Sequence, residues 1–180
     1  MNKVISFKKI FYIPVVVFLS ALKLSAQQNF PVPAVDSNQL FYLQRTSNAN
    51  TIIYELNYKN SVLDTEEPIH VYWMKYDEQG QKAELNFLQR KFAYGVKSTL
   101  ISKDKYKLHL VSYKNYPMYL SKAANNKYYV YATINQKEAI VSRIFVKING
   151  GSLWTPNVEY VEVKGTDPAT GKEVMERLKI

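Results

Sequence analysis

The sequence predicts a mainly β domain, an antiparallel β-sandwich or barrel of about 8–10 short strands with one packed α-helix over about residues 82–94. Three observations carry this. Short runs rich in Tyr, Val, Ile and Thr recur along the chain, separated by Asn, Asp, Gly and Ser clusters at roughly 8–12-residue intervals. Several of these runs alternate polar and apolar residues with the period of two that a half-buried strand requires. One stretch alone, from Gln81 to Tyr94, is dominated by helix formers.

The elements follow in order. The opening MNKVISFKKIFYIPVVVFLSALKLSA places Lys3, Lys8 and Lys9 before an apolar run from Ile10 to Leu22, and Ala26 precedes the polar Gln27-Gln28-Asn29. That order is a cleaved secretory signal, residues 1–26. The run is shorter than the roughly 20 residues a spanning helix needs, and Pro14 and Lys23 interrupt it. Residues 27–180 are then a single β-rich domain, exported to the periplasm or the exterior, with no membrane span after signal cleavage. A chain of this size buries about 70% of its unfolded surface, which fits the absence of any cysteine. Disulfide scaffolds, thiol enzymes and Cys-ligated metal sites are excluded together.

After Phe30-Pro31-Val32-Pro33 come two strands, Leu40–Thr46 and Thr51–Tyr58, joined by Ser47-Asn48-Ala49-Asn50. Asp64-Thr65-Glu66-Glu67-Pro68 is a loop. Ile69–Tyr76 is apolar or aromatic on both alternating faces, the mark of a strand covered on two sides. Asp77-Glu78-Gln79-Gly80 is a turn. In Gln81–Tyr94, Ala83, Leu85, Leu88 and Phe92 recur near helical spacing, and Gly95 stands where a helix stop belongs. Lys105–Tyr113 sets Tyr106, Leu108 and Leu110 on one face and Lys105, Lys107 and His109 on the other. Met118–Lys122 and Lys127–Ile134 flank the turn Ala123-Ala124-Asn125-Asn126. Ala139–Ile148 ends at Asn149-Gly150-Gly151. Val158–Lys164 and Lys172–Leu178 are joined by the hairpin loop from Gly165 to Gly171.

The formal charge of +9 overstates the mature protein. Four lysines leave with the signal and no acid does, so residues 27–180 carry 20 basic against 15 acidic side chains, net +5. The basic residues are scattered, without the stripe a nucleic-acid interface requires, so no nucleic-acid partner is expected. His70 and His109 have no ligand neighbour at metal spacing, so neither a metal nor a cofactor is expected. No nucleophile elbow exists. Gly165-x5-Gly171-Lys172 is one residue too long for a phosphate loop, and Glu173 stands where Ser or Thr would hold magnesium. Asp64, Glu66 and Glu67 read as a solvated loop more readily than as a calcium site. The 14 tyrosines of the mature chain suit sheet surfaces first and a sugar-stacking platform second.

Two Gln-Arg pairs stand out, Gln44-Arg45 ending the first strand and Gln89-Arg90 in the helix. If the helix crosses the sheet, Arg45 and Arg90 approach one another near Asn48, Asn50, Asn57 and Tyr94. Guanidinium forks match carboxylates and phosphates. The alternative is a structural network in which each Arg pairs with Glu55 or Glu84. The binding candidates are Arg45, Asn48, Asn57, Arg90 and Tyr94.

The segments FPVP (30–33), LFYLQR (40–45), NANTIIYELN (48–57), PIHVYW (68–73) and LQRKFAYG (88–95) together give the chain a family likeness. It resembles the exported proteins gathered as domain-of-unknown-function family 4833, over nearly all of the mature chain. The resemblance implies one exported domain and transfers no activity. Its motif positions match Arg45, Asn57, Trp73, Arg90, Tyr94 and Gly95. The expectation is a non-enzymatic binding protein of the cell envelope, with a small anionic or carbohydrate ligand or an envelope protein as partner. The rival is a hydrolase or lyase of envelope polymers using two carboxylates about 5–9 Å apart in a cleft; Glu55, Asp77, Glu84 and Glu159 are available for it.

Overall fold

The computed structural model describes residues 30–34, 36–46, 48–152 and 155–179; the signal sequence read from residues 1–26 lies outside them. Strands run in the order β1 (Gln39–Arg45), β2 (Thr51–Leu56), β3 (Tyr58–Lys59), β4 (Val62–Leu63), β5 (Ile69–Lys75) and β6 (Gln81–Glu84). One turn of α-helix, α1 (Phe87–Gln89), passes directly into a π-helical turn, Arg90–Tyr94. Then follow β7 (Val96–Ser102), β8 (Lys105–Leu110), β9 (Tyr113–Lys122), β10 (Tyr128–Ile134), β11 (Lys137–Gly151), β12 (Pro156–Thr166) and β13 (Glu173–Leu178).

A mainly β chain is what the alternation predicts; a wholly antiparallel sheet is not what forms. The main sheet is mixed, in the order β6-β5-β2-β1-β11-β10-β9-β8-β7, with β12 and β13 along the other edge of β11. β1 lies parallel to β11, Tyr42 opposite Arg143 and Arg45 opposite Val146, while every other pairing is antiparallel. The fifteen-residue β11 explains the shape. On one edge it pairs first with β10, through Lys137–Ile140, and then with β1, through Arg143–Val146. Two antiparallel half-sheets thus hang from the same edge of one strand. The sheet curls, and both inner faces contribute to one core: Phe41, Ile52, Tyr54, Val71 and Trp73 from one half, Leu108, Met118, Leu120, Val130 and Ile134 from the other. Each large aliphatic side chain buried in this way stabilises by about 1.5–3 kcal/mol relative to exposure.

The strand covered on two sides that the pattern of Ile69–Tyr76 predicts is buried on its core face but only at Tyr72 on the other, where His70, Lys82 and Glu84 remain partly exposed. Val71 and Trp73 enter the core, and Tyr72 is buried on the opposite face. Toward the β1 side of that outer face lies the segment Phe30–Ala34. The Phe30 ring sits 5.3 Å from that of Phe145. Gln44, 2% exposed, donates from Nε2 to the Pro31 carbonyl at 2.7 Å and to Thr51 Oγ1 at 3.1 Å, and accepts from Arg143 Nε at 2.9 Å. The hairpin turns form where Asn and Gly predict them. Asn126 adopts a left-handed φ of 62°, and the Asn125 side chain accepts from the Lys127 amide.

The packed α-helix expected over 82–94 does not form: a single α turn and a π turn cover 87–94, none of their residues is buried, and Leu88 and Phe92 are exposed. Gln81–Glu84 pairs with β5, Ala83 opposite Trp73 and Glu84 opposite Tyr72, because an open sheet edge satisfies its backbone groups. The helical segment begins only after Asn86, whose side chain caps the Gln89 amide while Gln89 Oε1 accepts from the Asn86 amide in a capping box. Gly95 is not a left-handed stop: its φ is −62°. Glycine is required there because a Cβ would overlap the Arg90 carbonyl oxygen.

Candidate functional site

Arg45 is the last residue of β1 and shares the inward face with Phe41 and Leu43, so its side chain follows the core to its end. There it meets two rings. Its Cζ lies 5.8 Å from the centre of Trp73 and 5.7 Å from that of Tyr94, which stand edge to face 5.0 Å apart. Trp73 is placed by β5 and by a 3.3 Å hydrogen bond from its Nε1 to Gln89 Oε1, the same oxygen that closes the capping box. Tyr94 is placed by the π-helical turn and by the phenol of the fully buried Tyr54, which donates to its backbone carbonyl at 2.9 Å. The close approach of Gly95 to Arg90 fixes the exit of that turn.

Around this arginine the polar groups are unmatched. Arg45 Nε and Asn48 Oδ1 are both buried without a hydrogen-bond partner among the described residues, and Arg45 enters no ion pair there. Buried polar atoms are almost always paired. A guanidinium held against two aromatic faces gains cation–π attraction but still presents its donors. Burial pushes the Tyr94 phenol above its usual range, with Arg45 opposing, so at neutral pH it remains a protonated donor. One cation, a phenol and an amide carbonyl at the rim of the core can grip an anionic group that also carries a donor.

Of the predicted residues, the structure brings Arg45 and Tyr94 together and sets Asn48 three positions beyond Arg45 in the β1–β2 connection. It does not bring in Arg90 or Asn57. The Arg90 guanidinium is 3.4 Å from Glu84, as the network alternative has it. Asn57 sits past the opposite end of β2, donating from Nδ2 to the Glu67 carbonyl at 2.8 Å. Asn50 Oδ1 accepts from the Asp77 amide at 3.1 Å. Sequence reasoning missed Gln89 as a positioning residue; its spacing from Asn86 carries the capping-box signal.

Arg90 belongs to a second cluster, on the outer face of β2, β5 and β6. His70 lies between two carboxylates, Nδ1 at 2.9 Å from Glu55 and Nε2 at 3.0 Å from Glu84. Lys82 reaches Glu55 at 3.3 Å and stands 3.6 Å over the Tyr72 ring. Two carboxylates therefore converge, but both are already paired. In the acidic loop, Asp64 Oδ1 accepts from the Glu66 and Glu67 amides and Asp64 Oδ2 pairs with Lys59 at 2.6 Å. No group of three His, Asp or Glu side chains among the described residues is placed to hold a metal ion. No helix among them is long and apolar enough to cross a membrane.

A search of curated proteins and a search of solved structures returned no match. A family model does match. It covers residues 41–177, from the strand that carries Arg45 to the end of the last hairpin, and on that extent the chain belongs to the family described as a domain of unknown function (DUF4833).

Proposed function

We propose that this chain is an exported ligand-binding domain that takes the anionic group of a small ligand at Arg45, between Trp73 and Tyr94. The observation that carries the reading is the buried guanidinium Nε of Arg45, without a partner among the described residues, together with the likewise unpartnered Asn48 carbonyl three positions along the chain. A buried guanidinium N–H without an acceptor is costly, and a carboxylate or phosphate relieves it with a charge-assisted, shape-matched contact. Export rests on the leader read from residues 1–26.

The experiment is a titration of the mature protein with inorganic phosphate and with succinate, followed calorimetrically. The reading expects a Kd below about 1 mM for at least one of them, a free energy of about 4 kcal/mol. Arg45→Met removes that binding and Arg90→Gln leaves it intact. Loss through Arg90→Gln with retention in Arg45→Met refutes it. A carboxylate-based hydrolysis would have to use Glu55 and Glu84, the two that converge. There His70, Lys82 and Arg90 would first have to release them, so binding is the better-supported reading.

A further inference from the structure

The second half-sheet carries a different kind of site. On the outer face of β8, β9 and β10, opposite the core, strand register sets residues in two adjacent rows. One row runs Lys107, Tyr119, Tyr131, Ile140 and Thr166; the next runs Lys105, Ser121 and Tyr129. Two residues beyond Thr166, the β12–β13 loop brings Pro168 over this face. The result is an open groove of about 400 Å³ lined by Lys105, Tyr119, Ser121, Tyr131, Glu138 and Pro168. That volume lies within the range of about 300–1,000 Å³ typical of small-ligand clefts.

The segments that border the groove are braced from within. Asp167 Oδ1 accepts from the Ala169 and Thr170 amides, and the Asp167 amide donates to the Lys172 carbonyl at 2.9 Å, closing the loop on itself. Asn135 ties the β10–β11 turn to β13, donating from Nδ2 to the Met175 carbonyl at 2.7 Å. Its polar groups are left over. Among the described residues, no hydrogen bond or ion pair engages Lys105 Nζ, the Ser121 hydroxyl, the Tyr119 and Tyr131 phenols or the Glu138 carboxylate. Tyrosines bordering the groove differ: Tyr116 donates to the Thr133 carbonyl at 2.9 Å, Tyr128 to Asp104 at 2.5 Å, and Tyr129 accepts from Asn125 at 3.0 Å.

We propose that this groove is a carbohydrate-binding site for a neutral pyranose oligosaccharide. Tyr119 and Tyr131 are cross-strand neighbours on this face, with Lys105 Nζ 5.8 Å from the centre of the Tyr119 ring and the Tyr129 ring edge-on to Tyr131 at 6.4 Å. Such a cluster of rings carrying polar tips suits the C–H-bearing face and hydroxyls of a sugar ring. Lys105 supplies a donor and Glu138 an acceptor for ring hydroxyls, with Ser121 serving as either. Their opposite charges cancel, so the groove selects for hydroxyl geometry and not for net charge. Burial, with Glu138 beside it, holds the Tyr131 phenol above its usual range, which keeps it a donor at neutral pH. This site is on the other half-sheet from Arg45, and neither reading depends on the other.

The test is a ¹H–¹⁵N correlation titration of the mature protein with two probes, the β-1,4-linked hexamers of glucose and of N-acetylglucosamine. The expected result is a saturable shift of the Tyr119, Ser121, Tyr131 and Ala169 amides with at least one hexamer. Tyr131→Ala should raise Kd roughly tenfold or more. Glu138→Gln, an exposed substitution that leaves the fold alone, should weaken binding by a smaller factor. The proposal is overturned if neither hexamer moves these amides at millimolar concentration, or if Kd is unchanged in both folded variants. It is equally overturned if inorganic phosphate, and neither sugar, shifts them, since that outcome makes Lys105 an anion contact.

Discussion

Replacing Arg45 by Met separates a binding arginine from a structural one. Met keeps an unbranched apolar stem between Trp73 and Tyr94 and removes the charge. Against stability, the substitution forfeits cation–π contacts with two rings at 5.8 and 5.7 Å, each worth about 0.5–2 kcal/mol. In its favour, it removes a buried unpartnered Nε–H, whose desolvation costs about 1–3 kcal/mol. The two contributions nearly cancel, so the ligand-free protein should change by less than about 1 kcal/mol, a shift in Tm of no more than about 4 °C for a domain of this size. Urea unfolding followed by tryptophan fluorescence suits the case, because Trp73 borders the substituted side chain. The midpoint should hardly move and the slope should not change. A loss of about 3 kcal/mol or more, the cost of breaking a buried ion pair, would show that Arg45 has a structural partner and refute the reasoning.

Tyr54→Phe removes the 2.9 Å bond that anchors the Tyr94 carbonyl and should cost about 1–2 kcal/mol, measured by urea unfolding, while weakening anion binding by loosening Tyr94. Gly95→Ala forces a Cβ onto the Arg90 carbonyl; the turn must shift, and the expected loss is about 1–3 kcal/mol with altered near-ultraviolet circular dichroism from Trp73 and Tyr94. Gln44→Leu breaks three hydrogen bonds and should release the segment Phe30–Ala34 to limited proteolysis while the rest of the sheet resists. Lys59 beside it and the Glu66 and Glu67 amides hold the Asp64 carboxyl below the usual carboxylate range. Its contribution is thus full above about pH 4 and is lost as pH falls through the lowered value, so Asp64→Asn should flatten the drop in Tm between about pH 4 and pH 2.

Local patterns in the sequence carry the strands well. Lys105–Leu110 alternates because one face meets the core and the other meets solvent, and Asn125-Asn126 turns because Asn tolerates left-handed backbone. What escapes is decided at long range. Nothing local states that Tyr42 will lie beside Arg143, a parallel contact created only when β11 runs past the end of β10. Gln81–Glu84 is composed of helix-compatible residues, yet the free edge of β5 draws it into the sheet. The site divides in the same way. Arg45 and Tyr94 were legible as a polar–aromatic pair, but Arg90 turns to Glu84 on the outer face and Asn57 lies at the far end of β2. The excess of tyrosine admitted a stacking platform, but not which rings would build it, since that is decided where register sets Tyr119 opposite Tyr131.

The most direct measurement follows the side-chain Nε–H signal of Arg45 in ¹⁵N-labelled protein of residues 27–180 as inorganic phosphate or succinate is added. The account predicts a saturable shift of that signal, accompanied by the indole Nε–H of Trp73 and absent from Arg90. An Arg45 signal that stays fixed while both anions are raised to millimolar concentration contradicts it.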